Sequence, residues 1–377
     1  MKRHVTKQDS IDPETIQKAI AEKKAKRVQE EGLEYVRFRD DFHNIFRGTI
    51  VLPDRVLPIY PSIGRIFMLE AGLRRNFSGR IYAEEKIDGY NVRLARIGER
   101  IFPFTRGGYI CPFTLDRLND LGDFTEFFDA HPDRILCAET AGPGAPYNNV
   151  PVRSVSEDVR LFVFDVLQPG ASGFLPLRER DQILERFALP RAPLLGVFSA
   201  GESDLKNIRK EITRLHREGG EGIVFKPPGE GVRVKYVTPS INLADIIDDA
   251  YLLDELPGEF FTGRMVRIVL GLEELGLQAE EERFEAELGR GLLREFRETL
   301  RTVQGGGTVA RRYSVKMRTD EAADKLLLHL NRDSRQVRVE EIKRERRGDF
   351  LYLEFDKIYR ASSSRLRTLL EGGYVID

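Results

Sequence analysis

The chain has 377 residues and a mass of 43.2 kDa, enough for about two to four domains with cores of their own. Charged residues make up 32% and the formal net charge is −1, so a nucleic-acid partner has to be held by local basic patches, not by an overall positive field. No apolar run reaches the roughly 18–20 residues of a spanning helix, no signal-peptide core stands at the charged N-terminus, and Cys111 and Cys137 belong to no paired spacing. These features argue against a membrane protein, a disulfide framework and a cysteine-based zinc site, and a cytoplasmic location is expected. The five histidines are scattered, and no Gly-x-x-x-x-Gly-Lys-Ser/Thr loop is present, so ATP, if used, is not held in the P-loop manner.

In chain order, residues 13–31 follow Asp12-Pro13, carry many Lys and Glu, and predict a solvated helix. Broken β alternation runs from Tyr35 to Pro53, and Pro53, Pro58 and Pro61 mark a boundary near residue 60. From 64 to 240, strand-like runs at 80–85, 92–97, 135–139, 160–166, 222–225 and 232–236 predict an α+β domain of packed antiparallel sheets. Residues 243–303 are helical in pattern, with Leu277, Phe284, Leu288, Leu292, Phe296, Leu300 and Val303 on one buried face. That face serves either dimerisation or packing within the chain. Gly305-Gly306-Gly307 marks a linker, and 308–377 reads strand, helix, strand, strand, helix, with a ferredoxin-like flavour. The expected domains are 1–60, 61–242, 243–307 and 308–377: N-terminal with β structure, central, helical, and C-terminal α/β.

The run Glu84-Glu85-Lys86-Ile87-Asp88-Gly89-Tyr90-Asn91 places an amine where it can attack phosphorus. Alone it is also a plain surface turn. Five further runs come after it in order: Thr105-Arg106-Gly107-Gly108, Cys137-Ala138-Glu139-Thr140, Phe162 to Val166, Glu221 to Lys226, and Arg233-Val234-Lys235. A free lysine with a pKa of about 10.4 is almost wholly charged at neutral pH, so the site has to lower it; Arg106, Lys226, Lys235, a metal-bound nucleotide and burial are the expected means. Asp88 can orient the amine or a metal. Gly89 allows a close approach of phosphate, although Asp88-Gly89 also reads as a hairpin turn. Asn91 offers a donor and an acceptor to ribose or phosphate, or caps a turn. Arg106 suits ribose or phosphate oxygens, Glu139 ribose hydroxyls, and Phe164 either adenine stacking or the core. Glu221 suits a metal-bound water or the departing phosphate, or is a turn carboxylate; Lys226 and Lys235 would neutralise phosphate charge.

Together the six runs resemble the collinear motifs of the covalent nucleotidyltransferase superfamily, which holds ATP- and NAD-dependent ligases and messenger RNA capping enzymes. The resemblance implies an ATP-grasp-like ligase adenylation domain in which Lys86 becomes lysyl-AMP with release of pyrophosphate. It assigns ribose contacts to Arg106 and Glu139, base stacking to Phe164, a metal-related acid to Glu221 with Asp88, and phosphate to Lys235. Glu84, Gly89, Asn91 and Lys226 join the nucleotide-binding group. Arg233 departs from relatives that carry a second lysine there and keeps only the charge. DNA ligases and capping enzymes follow the last motif with an OB-fold barrel, whereas helices come after it here. This layout resembles the homodimeric archaeal family of ATP-dependent RNA ligases that circularise single-stranded RNA. The implied cofactors are ATP and Mg²⁺ or Mn²⁺, and the implied substrate is single-stranded RNA with a 5′-phosphate and a 3′-hydroxyl, guided by basic residues in the first 27 positions and in 335–347. A GTP-using capping-type guanylyltransferase and a non-catalytic nucleotide-regulated RNA-binding protein are the alternatives.

Overall fold

The computed structural model describes residues 10–148, 152–153, 155–168, 173–252, 256–332 and 337–374. Its first helix, Pro13–Ala21, starts where the Asp12 side chain accepts from the Thr15 N–H at 2.8 Å and Pro13 occupies the first helical turn. The helix does not continue to residue 31 as expected. Lys23 takes a positive φ of 59°, and Ala25–Glu30 is instead a strand paired with Leu33–Phe38 through a turn at Glu31-Gly32. Pairing that buries Ala25 and Val28 overrides the helical preference of a Lys- and Glu-rich stretch.

That hairpin continues through Ile50–Val51 and Val56–Leu57 into a four-stranded antiparallel sheet. The sheet shares a core with the centre of the molecule: Val28, Tyr35, Ile50 and Leu57 pack with Phe102, Phe104, Ile135 and Cys137. Both cysteines are buried and free, as core thiols should be.

Two five-stranded sheets form the centre. The first has the order Gly173–Phe174, Arg160–Gln168, Ile135–Ala141, Tyr90–Ile97, Arg100–Thr105, antiparallel throughout. The second has the order Leu194–Phe198, Ile81–Lys86, Gly222–Lys226, Val234–Val237, Gly64–Arg65, with only the last pair parallel. Helices Leu69–Asn76 and Glu202–Arg217 cover the back of the second sheet, burying Leu205, Ile208, Ile212 and Leu215 against Ile81, Ala83, Ile223 and Phe225. The mixed α+β architecture with antiparallel sheets is the one expected.

Helices Pro239–Asp248, Gly258–Glu274 and Glu281–Gln304 come next. Leu277, Phe284, Leu288 and Leu292 pack onto the other two helices, and Leu300 and Val303 onto Tyr251 and Tyr359. Six of the seven residues of the periodic face are therefore packed within the chain. The last region is a sheet of order Ala310–Met317, Phe350–Tyr359, Val337–Arg347, all antiparallel, with helices Asp320–Arg332 and Arg360–Leu370. This is the split β-α-β of a ferredoxin-like unit, with no fourth strand among the described residues. Tyr313, Val315, Leu326 and Leu353 join Leu94 and Phe113 in one core, so the unit is docked on the first central sheet. Among the described residues, no helix is long and apolar enough to cross a membrane.

Candidate active site

Between the two central sheets lies a cavity of about 540 Å³, and both walls are set by strand register. On the second sheet, Lys86 stands opposite Gly222, Glu84 opposite Val224, and Val224 opposite Lys235. Period-two alternation turns Lys86, Glu84, Val224, Lys226 and Lys235 to one face. On the first sheet, Asn91, Glu139 and Phe162 form one row. A bulge between Val163 and Asp165 inserts Phe164, so that Phe162 and Asp165, three residues apart, face the same side. Phe162 lines the cavity with Phe164, and its position opposite Glu139 is the signal that sequence reasoning did not use.

Residues 87–89 carry the chain from one sheet to the other. Asp88-Gly89 is therefore no hairpin turn, because the strands on its two sides pair with different partners. Gly89 is required by its neighbour: a Cβ there would lie 2.3 Å from the Thr140 carbonyl oxygen and 2.8 Å from the Ala141 Cβ. The close approach is thus to strand Ile135–Ala141.

Lys86 Nζ donates to Glu221 Oε2 at 2.5 Å, with both side chains largely buried. Burial pushes the Lys86 ammonium down, but Glu221, Glu139 and Asp88 outweigh it, and the net shift is upward. This corrects the expected direction: Arg106, Lys226 and Lys235 do not win against three nearby carboxylates. Those acids are strained in turn. Burial and the Glu221 charge push Asp88 up to about 7, with Asn148 donating to it at 2.9 Å. Burial, with Glu221 and Asp88, raises Glu139 to about 8 against the opposing pull of Lys86 and an Asn91 hydrogen bond. Lys235 forms no ion pair among the described residues. Burial, then Lys86 and Arg65, lower it to about 8. Arg106 is exposed at the mouth and donates to Ser62 Oγ at 2.6 Å.

Glu84 and Lys226 have a different setting. The Lys226 side chain is 1% exposed, and its Nζ donates to Glu84 Oε2 and to the Phe164 carbonyl, each at 2.7 Å, with Asp165 Oδ2 at 3.2 Å. Its three protons are committed. Arg180 takes the other oxygen of Glu84. Arg233 reaches Asp165 at 3.4 Å and stacks on Phe174, and Tyr60 donates to Asp165 at 2.8 Å. Burial raises the Asp165 carboxyl, but Lys226, Arg233 and Arg180 more than reverse this and hold it at about 2. Glu84, Lys226 and Arg233 are thus tied into a buried ionic floor beneath Phe164, and the phosphate role expected of Lys226 finds no free donor. Phe164 keeps a cavity position, with the Tyr60 ring edge-on at 4.8 Å. Tyr60 and Arg180 come from segments with no motif signal. The basic run at 335–347 does not present a free patch either: 335 and 336 lie outside the described residues, and Arg344, Arg346 and Arg347 pair with Asp320, Asp324, Glu341 and Glu345. Of the basic residues expected in the first 27 positions, those in 1–9 lie outside the described residues.

Among the described residues, no three His, Cys, Asp or Glu side chains converge to hold a metal alone. Glu221 and Asp88, both acting on the Lys86 ammonium and on each other, nevertheless suit a cation that takes its other ligands from phosphate oxygens and water.

Residues 79–237 match the RNA ligase family model, and 250–373 match the ligase Pab1020 C-terminal region. An uncharacterized protein of Methanocaldococcus jannaschii is 26% identical over 367 residues, covering 95% of this chain and 92% of its own. Among solved structures, a putative ATP-dependent DNA ligase from Aquifex aeolicus is 40% identical with a TM-score of 0.92, covering 97% of this chain and 100% of that one. An archaeal ATP-dependent RNA ligase is 26% identical with a TM-score of 0.86, covering 96% of each chain. These likenesses span nearly the whole length and include the helices and C-terminal unit beyond the last motif, and so the chain belongs to the RNA ligase family of the covalent nucleotidyltransferases, in its archaeal ATP-dependent form.

Proposed function

We propose that the chain seals RNA ends with ATP through a lysyl-AMP on Lys86. The observation that carries this is the contact of Lys86 with Glu221, made by a lysine that lines one cavity with Glu139, Arg106 and Lys235. Adenine lies against Phe164 and Phe162, the ribose meets Glu139 and Arg106, and the α-phosphate lies between Lys86 and Lys235. The Lys86 nitrogen forms a bond to the α-phosphorus while the bond to the bridging oxygen breaks. The electron pair leaves with pyrophosphate, and the protons of the amine pass to Glu221 and then to solvent. Lys235, fixed before the reaction, meets the charge that develops on the α-phosphate. AMP then passes from Lys86 to an RNA 5′-phosphate, and a 3′-hydroxyl attacks that phosphorus and releases AMP. Mg²⁺ or Mn²⁺, held by Glu221 and Asp88 with phosphate oxygens, would draw charge from the phosphates.

Helix Gly258–Glu274 exposes Met265, Val266 and Val269, and a second copy of the chain covers this row in a homodimer. The 2′-hydroxyl is the group that separates the RNA substrate from DNA. The test offers 5′-phosphorylated single-stranded RNA and DNA of one sequence with ATP and Mg²⁺. Joined or circular RNA in large excess over DNA supports the reading. Preference for DNA, or use of GTP in place of ATP, overturns it.

A further inference from the structure

An adenylating lysine needs a receptor for the departing pyrophosphate, and helices follow the last motif here. The second central sheet indicates where that receptor is. Glu84, Val224, Lys235 and Arg65 occupy one row across four neighbouring strands. Arg65 therefore shares the cavity-facing side with Lys235 and lies on the edge strand farthest from Lys86. With strands about 4.8 Å apart, the Arg65 backbone is about 14 Å from the Lys86 strand, with the Lys235 strand between them. An α-phosphate placed between Lys86 and Lys235 then has its leaving group directed at Arg65, as in-line displacement requires.

Arg65 itself is partly buried and has no hydrogen bond or ion pair among the described residues, and its Nε is out of solvent without a partner. A buried N–H left without an acceptor is unfavourable, and a ligand that supplies one relieves it. Its surroundings are cationic. Helix Gly258–Glu274 brings Arg264 and Arg267 to the same edge; Arg264 is paired with Asp245 at 2.8 Å, and Arg267 donates to the Asn242 side-chain oxygen Oδ1 at 2.7 Å and forms no ion pair among the described residues. Burial and then Arg264 depress Arg65, and burial followed by Arg65 and Arg264 brings Arg267 down to about 10. Glu221 and Asp245 oppose the shift of Arg65, and they are engaged by Lys86 and Arg264.

We infer that Arg65, supported by the field of Arg264 and Arg267, binds the β- and γ-phosphates of the nucleotide and the pyrophosphate that leaves. This rests on the ligase reading above. Planar donors on Arg65 would take two phosphate oxygens at once. The helices after the last motif thereby complete the nucleotide site.

The test uses the full chain and its Arg65→Ala and Arg65→Lys variants in three assays: lysyl-AMP formation from ATP, reversal of preformed adduct by pyrophosphate, and sealing of pre-adenylylated RNA without ATP. Arg65→Ala is expected to slow adduct formation about 10- to 100-fold and to raise the pyrophosphate needed for reversal by a similar factor, with sealing changed less than about twofold. Arg65→Lys should recover part of the loss. Adduct formation at the wild-type rate in Arg65→Ala, or an equal loss in all three assays, overturns the inference. Failure of the wild-type chain to form an adduct is a separate result and refutes the ligase reading itself.

Discussion

Lys86 Nζ lies 2.5 Å from Glu221 Oε2, so the nucleophile rests as a charged, engaged ammonium. Activation is then a matter of drawing Glu221 away or neutralising it, because burial alone already disfavours the charge.

Glu221→Gln separates these two influences. With the carboxylate gone, the largest of the three opposing charges is lost while burial remains, and the Lys86 amine should titrate lower than in the wild type and react faster with an amine-selective reagent at neutral pH. Adduct formation should nevertheless fall. Peptide-resolved labelling across a pH series checks this. An unchanged Lys86 titration would show that Glu221 does not hold the amine.

Lys235 should trade stability for function. Its folded value of about 8 lies below the ordinary 10.5, so the unfolded chain binds the proton more tightly. The penalty applies in full below pH 8 and is relieved as pH rises from 8 towards 10.5. Lys235→Met should therefore raise unfolding stability at pH 7 by about 1–2 kcal/mol after allowance for solvent screening. Adduct formation should drop about 100-fold or more. Urea unfolding beside an adduct assay reads both, and a destabilised variant would contradict the account.

Asp165 has the opposite sign. Its folded value of about 2 lies below the ordinary 3.8, so its contribution is present above pH 3.8 and is lost as pH falls through 2. Asp165→Asn leaves Lys226 and Arg233 buried without that partner and should cost about 3–5 kcal/mol at pH 6. Denaturant midpoints at pH 6 and pH 3 test this, and the difference between variant and wild type should narrow at the lower pH.

Gly89→Ala tests the crossing between the sheets. The added methyl group meets the Thr140 carbonyl at 2.3 Å, so strand Ile135–Ala141 or the segment carrying Lys86 has to move. A loss of about 1–3 kcal/mol is expected, together with slower adduct formation. Full stability in the variant would mean that the two strands are not held this closely.

Much of this was legible in the chain. The motif strands stand out because β-branched and aromatic residues alternate locally; Lys86, Glu139 and Lys235 do line one cavity, and Glu221 reaches it through its contact with Lys86. Pairing at a distance could not be read. Nothing local says that Lys86 and Asn91 lie on different sheets, or that Lys226 turns to Glu84 and Asp165. Tyr60 and Arg180 are bound to that floor from segments without a motif. Residues 22–31 misled for a related reason: their composition suits a helix, and only the partner strand Leu33–Phe38 makes part of them a strand.

The central claim is that Lys86 carries the nucleotide. The direct measurement is incubation of the chain and of Lys86→Ala with Mg²⁺ and α-labelled ATP, with denaturing electrophoresis and mass mapping of the labelled peptide. The account predicts AMP on Lys86 in the wild type and no adduct in a folded Lys86→Ala variant. A covalent adduct that survives Lys86→Ala, or a label mapped to another residue, would contradict it.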